Sequence, residues 1–466
     1  MELGVRTWPS RLVSRRWLLA FAPINAATAG FGVVLPLLIL IPLHRGWAEV
    51  AVAATLYNSI VILSSIVWGR LSDRFPFRRL FLVVNYAGFA GLYAVLAHLG
   101  SLTELYLIYA LIGAVAPAGA NASNLLILEK FTVDERATAF ASFQEVSMIG
   151  ALGGLLLGYF WTTTSAALLP LLWVLAALAL ASAVAIWFGI SPPERRLTPA
   201  HVASHPSSLL SRLRPMPPAR TSVPFFPHWP RLRPDPFGRL RRWAREELHH
   251  ELPLIMIASF LFNLSANVFN IAYTPFLYSA GLTAGSIFLV NLSNNSAQAL
   301  VFPVSGGLAN RIGIDRLVHH GTYFRSLGYL ATVGLTFVVL GSRGMFGANL
   351  AIYAVIGGAI ALYTTASTLM LFRGFGGRDA GGLLGINSAL GGVAAVAGAA
   401  LSGLLALFGS FRLVFLVSSA ILLVSLPLWT AATVAYGRRR AGDRPATAVP
   451  VRGSASSEGV PVAKAH

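Results

Sequence analysis

Glu145 and its neighbour Gln144 lie some nine residues inside an apolar stretch running from about 137 to 160, which holds no other charged residue. At about 1.5 Å of helical rise per residue, the carboxyl stands about 13 Å from the start of that stretch. A charge at mid-membrane costs roughly 3 kcal/mol on insertion scales, so a carboxyl there is expected to take up a proton, pair or bind a solute. A buried acid bonded between helices is the structural alternative. Asn263, Asn267, Asn270 and Thr274 recur at intervals of four, three and four, which places them on one helical face. Asn291, Asn294, Asn295 and Gln298 do the same on the next apolar stretch. Such amides either line a wet cavity and hydrogen-bond a polar solute, or bond one another between membrane helices for about 0.6 to 2 kcal/mol each. Two full stripes exceed what helix contact needs, so cavity lining is the expectation. Asn25, Asn121, Asn124, Tyr363, Thr364 and Asn387 extend the set of substrate-binding candidates. Arg325 is the other charge at depth and is expected to snorkel or pair structurally.

These side chains need elements that can hold them inside a bilayer. Of the 466 residues 56% are hydrophobic and only 11% charged, too few polar groups to clothe a soluble globule of that size. The net charge of +18 sits in loops beside apolar runs, so lipid headgroups rather than nucleic acid are the anionic partner. There is no cysteine, which removes disulfides and thiolate metal sites. No metal-ligand cluster, nucleophile–histidine arrangement or phosphate-binding glycine loop is found, so neither a metal, a cofactor nor an enzymatic activity is expected.

A membrane span needs about 20 apolar residues. Twelve such stretches can be drawn, near 17–43, 49–68, 80–99, 102–128, 137–160 and 166–189, then 253–278, 283–305, 317–341, 346–371, 381–408 and 411–436. With a cytoplasmic N-terminus, the inner loops receive Arg70, Arg74, Arg78, Arg79, Lys130, Arg136, Arg311, Arg316, Arg373 and Arg378, while the outer loops receive Arg45, Arg343 and Arg412. That asymmetry is the positive-inside bias, and it supports an even number of spans in each half with both termini cytoplasmic.

The fold class expected is therefore an all-α integral membrane protein of twelve transmembrane helices arranged as two pseudo-symmetric six-helix bundles. The bundles are placed at 1–190 and 252–440. Between them, 191–251 is a Pro- and Arg-rich linker in which proline density forbids continuous helix. Its end, 237–250, reads either as an amphipathic helix on the membrane surface or as a solvated lead-in to span seven. The tail, 441–466, is expected to be disordered.

A phrase repeated in the two halves carries a resemblance. Gly69-Arg70-Leu71-Ser72-Asp73-Arg74-Phe75-Pro76 is followed by Arg78-Arg79, and Gly306-Gly307-Leu308-Ala309-Asn310-Arg311-Ile312-Gly313 by Asp315-Arg316. Each copy falls in the loop after the second span of its half, and together they resemble the signature of the major facilitator superfamily of secondary transporters. Pro76 replaces the second glycine in the first copy, and Asn310 replaces the acid in the second. The resemblance implies a conformational latch, in which Gly69 and Gly306 let helices approach. Asp73, with Arg74, Arg78 or Arg136 as partners, then holds the outward-open state, while Asn310 beside Arg311 hydrogen-bonds without pairing charge. It also implies that spans one, four, seven and ten line a central path. Gly150, Gly153, Gly154 and Gly158 in span five, with Gly391, Gly392, Gly398 and Gly403 in span eleven, read as seams that pack against the opposite half.

The function expected is a cell-membrane secondary transporter that moves a small polar solute by rocker-switch alternating access. A coupling proton is carried by Glu145, lipids are the surrounding partners, and the unit is a monomer. A multidrug exporter of the same fold and a non-transporting membrane sensor are the competing readings.

Overall fold

In hydrocarbon every backbone N–H and C=O must be satisfied within the protein, so each apolar stretch closes on itself as a helix. The computed structural model describes residues 16–75, 77–130, 133–165, 167–190, 251–374 and 380–442. The expected linker and tail lie outside the described residues. A 3-10 turn, Arg16–Phe21, leads into α1 (Ala22–Leu40). The first half continues with α2 (Trp47–Arg74), α3 (Arg78–Leu96), α4 (Leu102–Lys130), α5 (Val133–Thr164) and α6 (Leu169–Gly189). The second comprises α7 (Glu251–Ser279), α8 (Ala284–Ile312), α9 (Ile314–Leu335), α10 (Ser342–Gly374), α11 (Ala380–Ala406) and α12 (Phe411–Gly442).

Several helices outrun the apolar stretches that announce them. α2 continues to Arg74 and α8 to Ile312, each carrying its copy of the repeated phrase in its last turns. Hydropathy reports only the part inside the hydrocarbon, whereas the helix itself continues while its residues favour it. Among the described residues, ten helices are long and apolar enough to cross a membrane. The other two are α8, with its amides, and α9, which carries Asp315, Arg316, His319, His320 and Arg325.

The packing repeats between halves. α1 packs on α5 and α6, α2 on α4, and α3 on α4 and α6; α7 packs on α11 and α12, α8 on α10, and α9 on α10 and α12. Polar pins occupy matching places. The Ile24 amide near the start of α1 donates to Ser182 Oγ of α6 at 2.8 Å, and Ser265 of α7 donates to the Ser418 carbonyl of α12 at 2.7 Å. The halves meet mainly along α2–α11 and α5–α8, which are themselves equivalent pairs.

The glycine seams divide differently from the expectation. A Cβ at Gly150 or Gly154 would overlap the Ala22 and Ala26 carbonyls of α1, and one at Gly398 would lie 2.7 Å from Asn267 Cβ of α7. Those glycines tighten each bundle internally. Gly158 against Phe288, Gly392 against Ile62 and Gly403 against Ala51 are the ones that join the halves. Gly153 and Gly391 meet no neighbour among the described residues. A helix has several small-residue faces, and spacing alone does not say which partner each face meets.

The contacts between halves run from mid-helix toward the end away from the repeated loops. There Gly285 of α8 also meets Thr162 and Tyr159 of α5, and the Trp47 and Phe411 rings lie 4.9 Å apart. Toward the loop end the same stripes are exposed. Gln144 continues the α5 line that meets Phe288, and Ser388 and Ala389 continue the α11 line that meets Ile62. The bundles therefore part at the loop end and close at the opposite end.

Candidate functional site

Contacts within each bundle mark the direction of every neighbour, and a turn of about 100° per residue assigns the remaining faces. On α7, Ser265 points to α12, the Tyr273 ring lies tilted 4.3 Å from that of Tyr353 of α10, and Asn267 Cβ with the Leu264 and Val268 backbone borders Gly398 of α11. Asn263, Asn270 and Thr274 take the one sector left, facing the other half, with Asn267 at its α11 edge. On α8, Asn294 points to α10 and Phe288 to α5, while exposed Leu300 and Val304 mark the lipid side. Asn291, Asn295 and Gln298 fall between the α10 and α5 directions. On α1, Asn25 and exposed Gly32 lie outside the sectors taken by α5 and α6. Polar faces of α1, α7 and α8 thus converge on the space between the bundles.

Asn58 belongs to this chamber and escaped the sequence reading. It sits on α2 between Tyr57, which faces Gly113 of α4, and Ile62, which faces Gly392 of α11. As the one amide of α2, it gives no stripe to detect.

The hydrogen bonds sort the candidate amides by task. Asn25, Asn263, Asn267, Asn291 and Asn295 each donate Nδ2 to the carbonyl four residues back, at 2.7 to 3.0 Å. Asn294 is buried and donates across to the Tyr353 carbonyl at 2.9 Å, while its Oδ1 accepts from Gln298 Nε2 at 2.7 Å. Asn294 therefore fastens α8 to α10. Gln144 and Asn270 are exposed and Asn387 is half-buried, and none of the three makes a side-chain hydrogen bond among the described residues. Glu145 is half-buried at the edge of the face that α5 turns toward α8. The side chains of Asn121, Asn124, Asp73, Arg74 and Arg136 lie outside the described residues.

Tyr363 and Arg325 belong to the interior of the second bundle. Tyr363 is 5% exposed, stacked on Phe262 of α7 and edge-to-face with Trp429 of α12. The Arg325 guanidinium lies 4.4 Å from the Phe262 ring centre, and its Nε donates to Tyr329 Oη at 2.8 Å. Phe262 is on the α10 side of α7, so this cation stands behind the aromatic layer and not in the chamber.

At the loop end, Arg78 is buried and donates from its terminal nitrogen to both the carbonyl and the hydroxyl of Ser72. Gly69 and Gly306 have no described neighbour within 4 Å of a Cβ position, and Asn310 and Arg311 are exposed. Lys130 lies 4.9 Å from the Trp17 ring centre, and burial pulls its ammonium below the usual lysine range. The room left at both glycines accords with bundles parted at this end.

Two equivalent six-helix bundles, meeting along α2–α11 and α5–α8 beside the polar faces of α1, α7 and α8, define a multi-pass membrane transporter fold. The chain belongs to the Major Facilitator Superfamily, whose model matches residues 17–370. No curated protein matches it in sequence. Among solved structures it is similar to the nucleoside transporter NupG, with 11% identity, 90% of this chain and 98% of that chain covered, and a TM-score of 0.64. An auto-inhibited POT family peptide transporter is similar at 13% identity, 91% and 96% coverage, and a TM-score of 0.64. At such identities the likeness shows the fold alone.

Proposed function

We propose that the protein is a secondary active transporter of the cell membrane that carries a small polar solute by rocker-switch alternating access, coupled to protons through Glu145. The observation that carries this reading is the convergence of the α1, α7 and α8 amides on the space between the bundles. Polar groups at depth are costly in lipid, and turning them away from their own bundle wastes them unless water and solute enter there. The nucleoside and peptide transporters of the same fold make small polar solutes reasonable cargo.

In this reading the loop end is cytoplasmic, as the arginine asymmetry requires, and the conformation described is inward-open. The bundles take residues 1–190 and 252–440, joined by a cytoplasmic linker over 191–251 and followed by a cytoplasmic tail over 441–466. Asp73, Arg74, Arg78 and Arg136, with Asn310 and Arg311 in the second copy, form the latch of the opposite state. The substrate site takes the chamber amides together with Gln144 and Asn387, and the unit is a monomer. Hydrophobic-drug export is less favoured, because the large aromatic rings pack on one another inside the bundles, as Phe269 does on Tyr329 at 3.9 Å.

Proteoliposome transport tests the coupling role. A Glu145→Gln variant should lose proton-driven accumulation while keeping exchange between equal concentrations. Normal accumulation by that variant would remove Glu145 from the mechanism.

A further inference from the structure

The hydrogen bonds that the chamber side chains make to their own helices determine what they have left to offer. A backbone carbonyl can only accept, and the donor an asparagine side chain offers is its NH₂, so each asparagine that reaches back four residues must turn its NH₂ toward the helix. The amide orientation follows from that chemistry, and Oδ1 is the end presented outward. Asn25, Asn263, Asn267, Asn291 and Asn295 are held in this way, and Asn58 donates to the Ala54 carbonyl at 2.9 Å. Each keeps both acceptor lone pairs and one N–H.

The hydroxyls are more one-sided. Thr28 shares the open face of α1 with Asn25 and gives its proton to the Ile24 carbonyl at 3.0 Å. Ser65 lies on the Asn58 side of α2 and gives its proton to the Ile62 carbonyl at 2.7 Å. Ser147 lies on α5 between Gly150, which meets α1, and Gly158, which meets α8, and it donates to the Phe143 carbonyl at 2.8 Å. A hydroxyl has one proton, so these oxygens face the chamber as acceptors only.

Charge narrows the choice further. Among the described residues the membrane-buried cation is Arg325, and it stands behind Phe262 with its Nε already donated to Tyr329. A carboxylate or phosphate entering the chamber would meet an excess of acceptor oxygens and no counter-charge, which is costly in a low-dielectric space. A protonated amine would find donor-hungry oxygens, but the carboxylate the described residues place near them is Glu145 at the edge of the α5 face, which the transporter reading gives to the coupling proton.

We infer that the cargo is a neutral polyhydroxylated solute, of sugar-like or nucleoside-like chemistry, whose O–H groups donate to a lining of asparagine Oδ1 and spent hydroxyl oxygens. This inference rests on the transporter reading above and makes it specific. A site built to accept from substrate hydroxyls rejects analogues that lack them, because its own acceptors are then left unpaired.

Purified full-length protein is titrated by thermal shift with hexoses, pentoses, linear polyols and nucleosides. The same compounds with their hydroxyls O-methylated are run beside them, together with glycylglycine, uridine monophosphate and putrescine. At least one hydroxylated neutral compound should stabilise the protein, and its O-methylated form should bind at least tenfold more weakly. Strongest binding by the dipeptide, the nucleotide or the diamine overturns the inference. So does equal binding of an O-methylated form, or a panel without any hydroxylated ligand. For the best ligand, Asn291→Leu should lose at least tenfold in affinity, whereas Asn291→Asp, which keeps its acceptors, should stay within a few-fold. Equal loss in both variants would mark the residue as structural and count against the inference. The transporter reading is judged separately by whether Asn267→Cys can be labelled from each side of the membrane. Two-sided labelling with a peptide or an anion as best ligand leaves the carrier standing and removes only the chemical class.

Discussion

Gly158 separates a conformational contact from a merely structural one. Its Cβ position overlaps the ring of Phe288, which is fully buried at the α5–α8 junction between halves. Gly158→Val forces that ring or its helix to move, an overpacking strain of about 1–3 kcal/mol. The strain exists only where the bundles touch at this end. A conformation with that end open escapes it, so the ratio of the two states shifts toward the open one by about 5- to 150-fold. Gly154 supplies the control. Its Cβ position overlaps the Ala26 carbonyl within the first bundle, so Gly154→Val strains both conformations alike and leaves their ratio unchanged. The chain contains no cysteine, so a single Asn58→Cys reporter needs no background engineering. With membrane-impermeant maleimide, Gly158→Val should raise labelling from the end opposite the repeated loops and lower it from the loop end. Gly154→Val should only lower the unfolding temperature. Identical labelling in the two valine variants would refute the claim that Gly158 senses a moving interface.

Other substitutions test the division of labour inside the bundles. Asn294→Leu leaves the Tyr353 carbonyl and Gln298 without their partner and should cost about 1–2 kcal/mol, read as a lower unfolding temperature with little change in substrate KM. Arg325→Met keeps the volume while removing a charge that has no carboxylate partner among the described residues, so it should be close to neutral in stability. Arg325→Ala should cost about 2–5 kcal/mol through the cavity beside Phe262 and Tyr329. Lys130 tests the electrostatics at the loop end. Burial lowers its folded-state pKa below 10.5, so the protonated form opposes folding at neutral pH and the opposition fades as pH rises toward the unfolded value. A Lys130→Met variant should therefore gain stability relative to the parent near pH 7, with the gain shrinking toward pH 10.

The helices were legible because bilayer thickness imposes a length on apolar runs. Boundaries slipped where α2 and α8 continue into Arg74 and Ile312, since helix persistence there owes nothing to hydrophobicity. The polar helix faces were partly legible, through amides recurring at helical spacing on α7 and α8. Sequence could not separate Asn294 from Asn295, adjacent residues of which one fastens α8 to α10 and the other reaches back to Asn291. A step of about 100° decides that difference, and only the position of α10 reveals which way each side chain falls. Tyr363 read as path lining because span ten was expected to face the centre. In the structure its ring is claimed by Phe262 and Trp429.

Alternating access requires halves that pivot about the space between them, opening one end as the other closes. Spin labels at Gln144 and Asn310 report the loop end of the α5–α8 junction, and labels at Thr162 and Ala284 report the opposite end. Pulsed dipolar distances in lipid nanodiscs, with and without the stabilising ligand, should change in opposite directions for the two pairs. Both distances unchanged, or both moving in the same direction, would contradict alternating access.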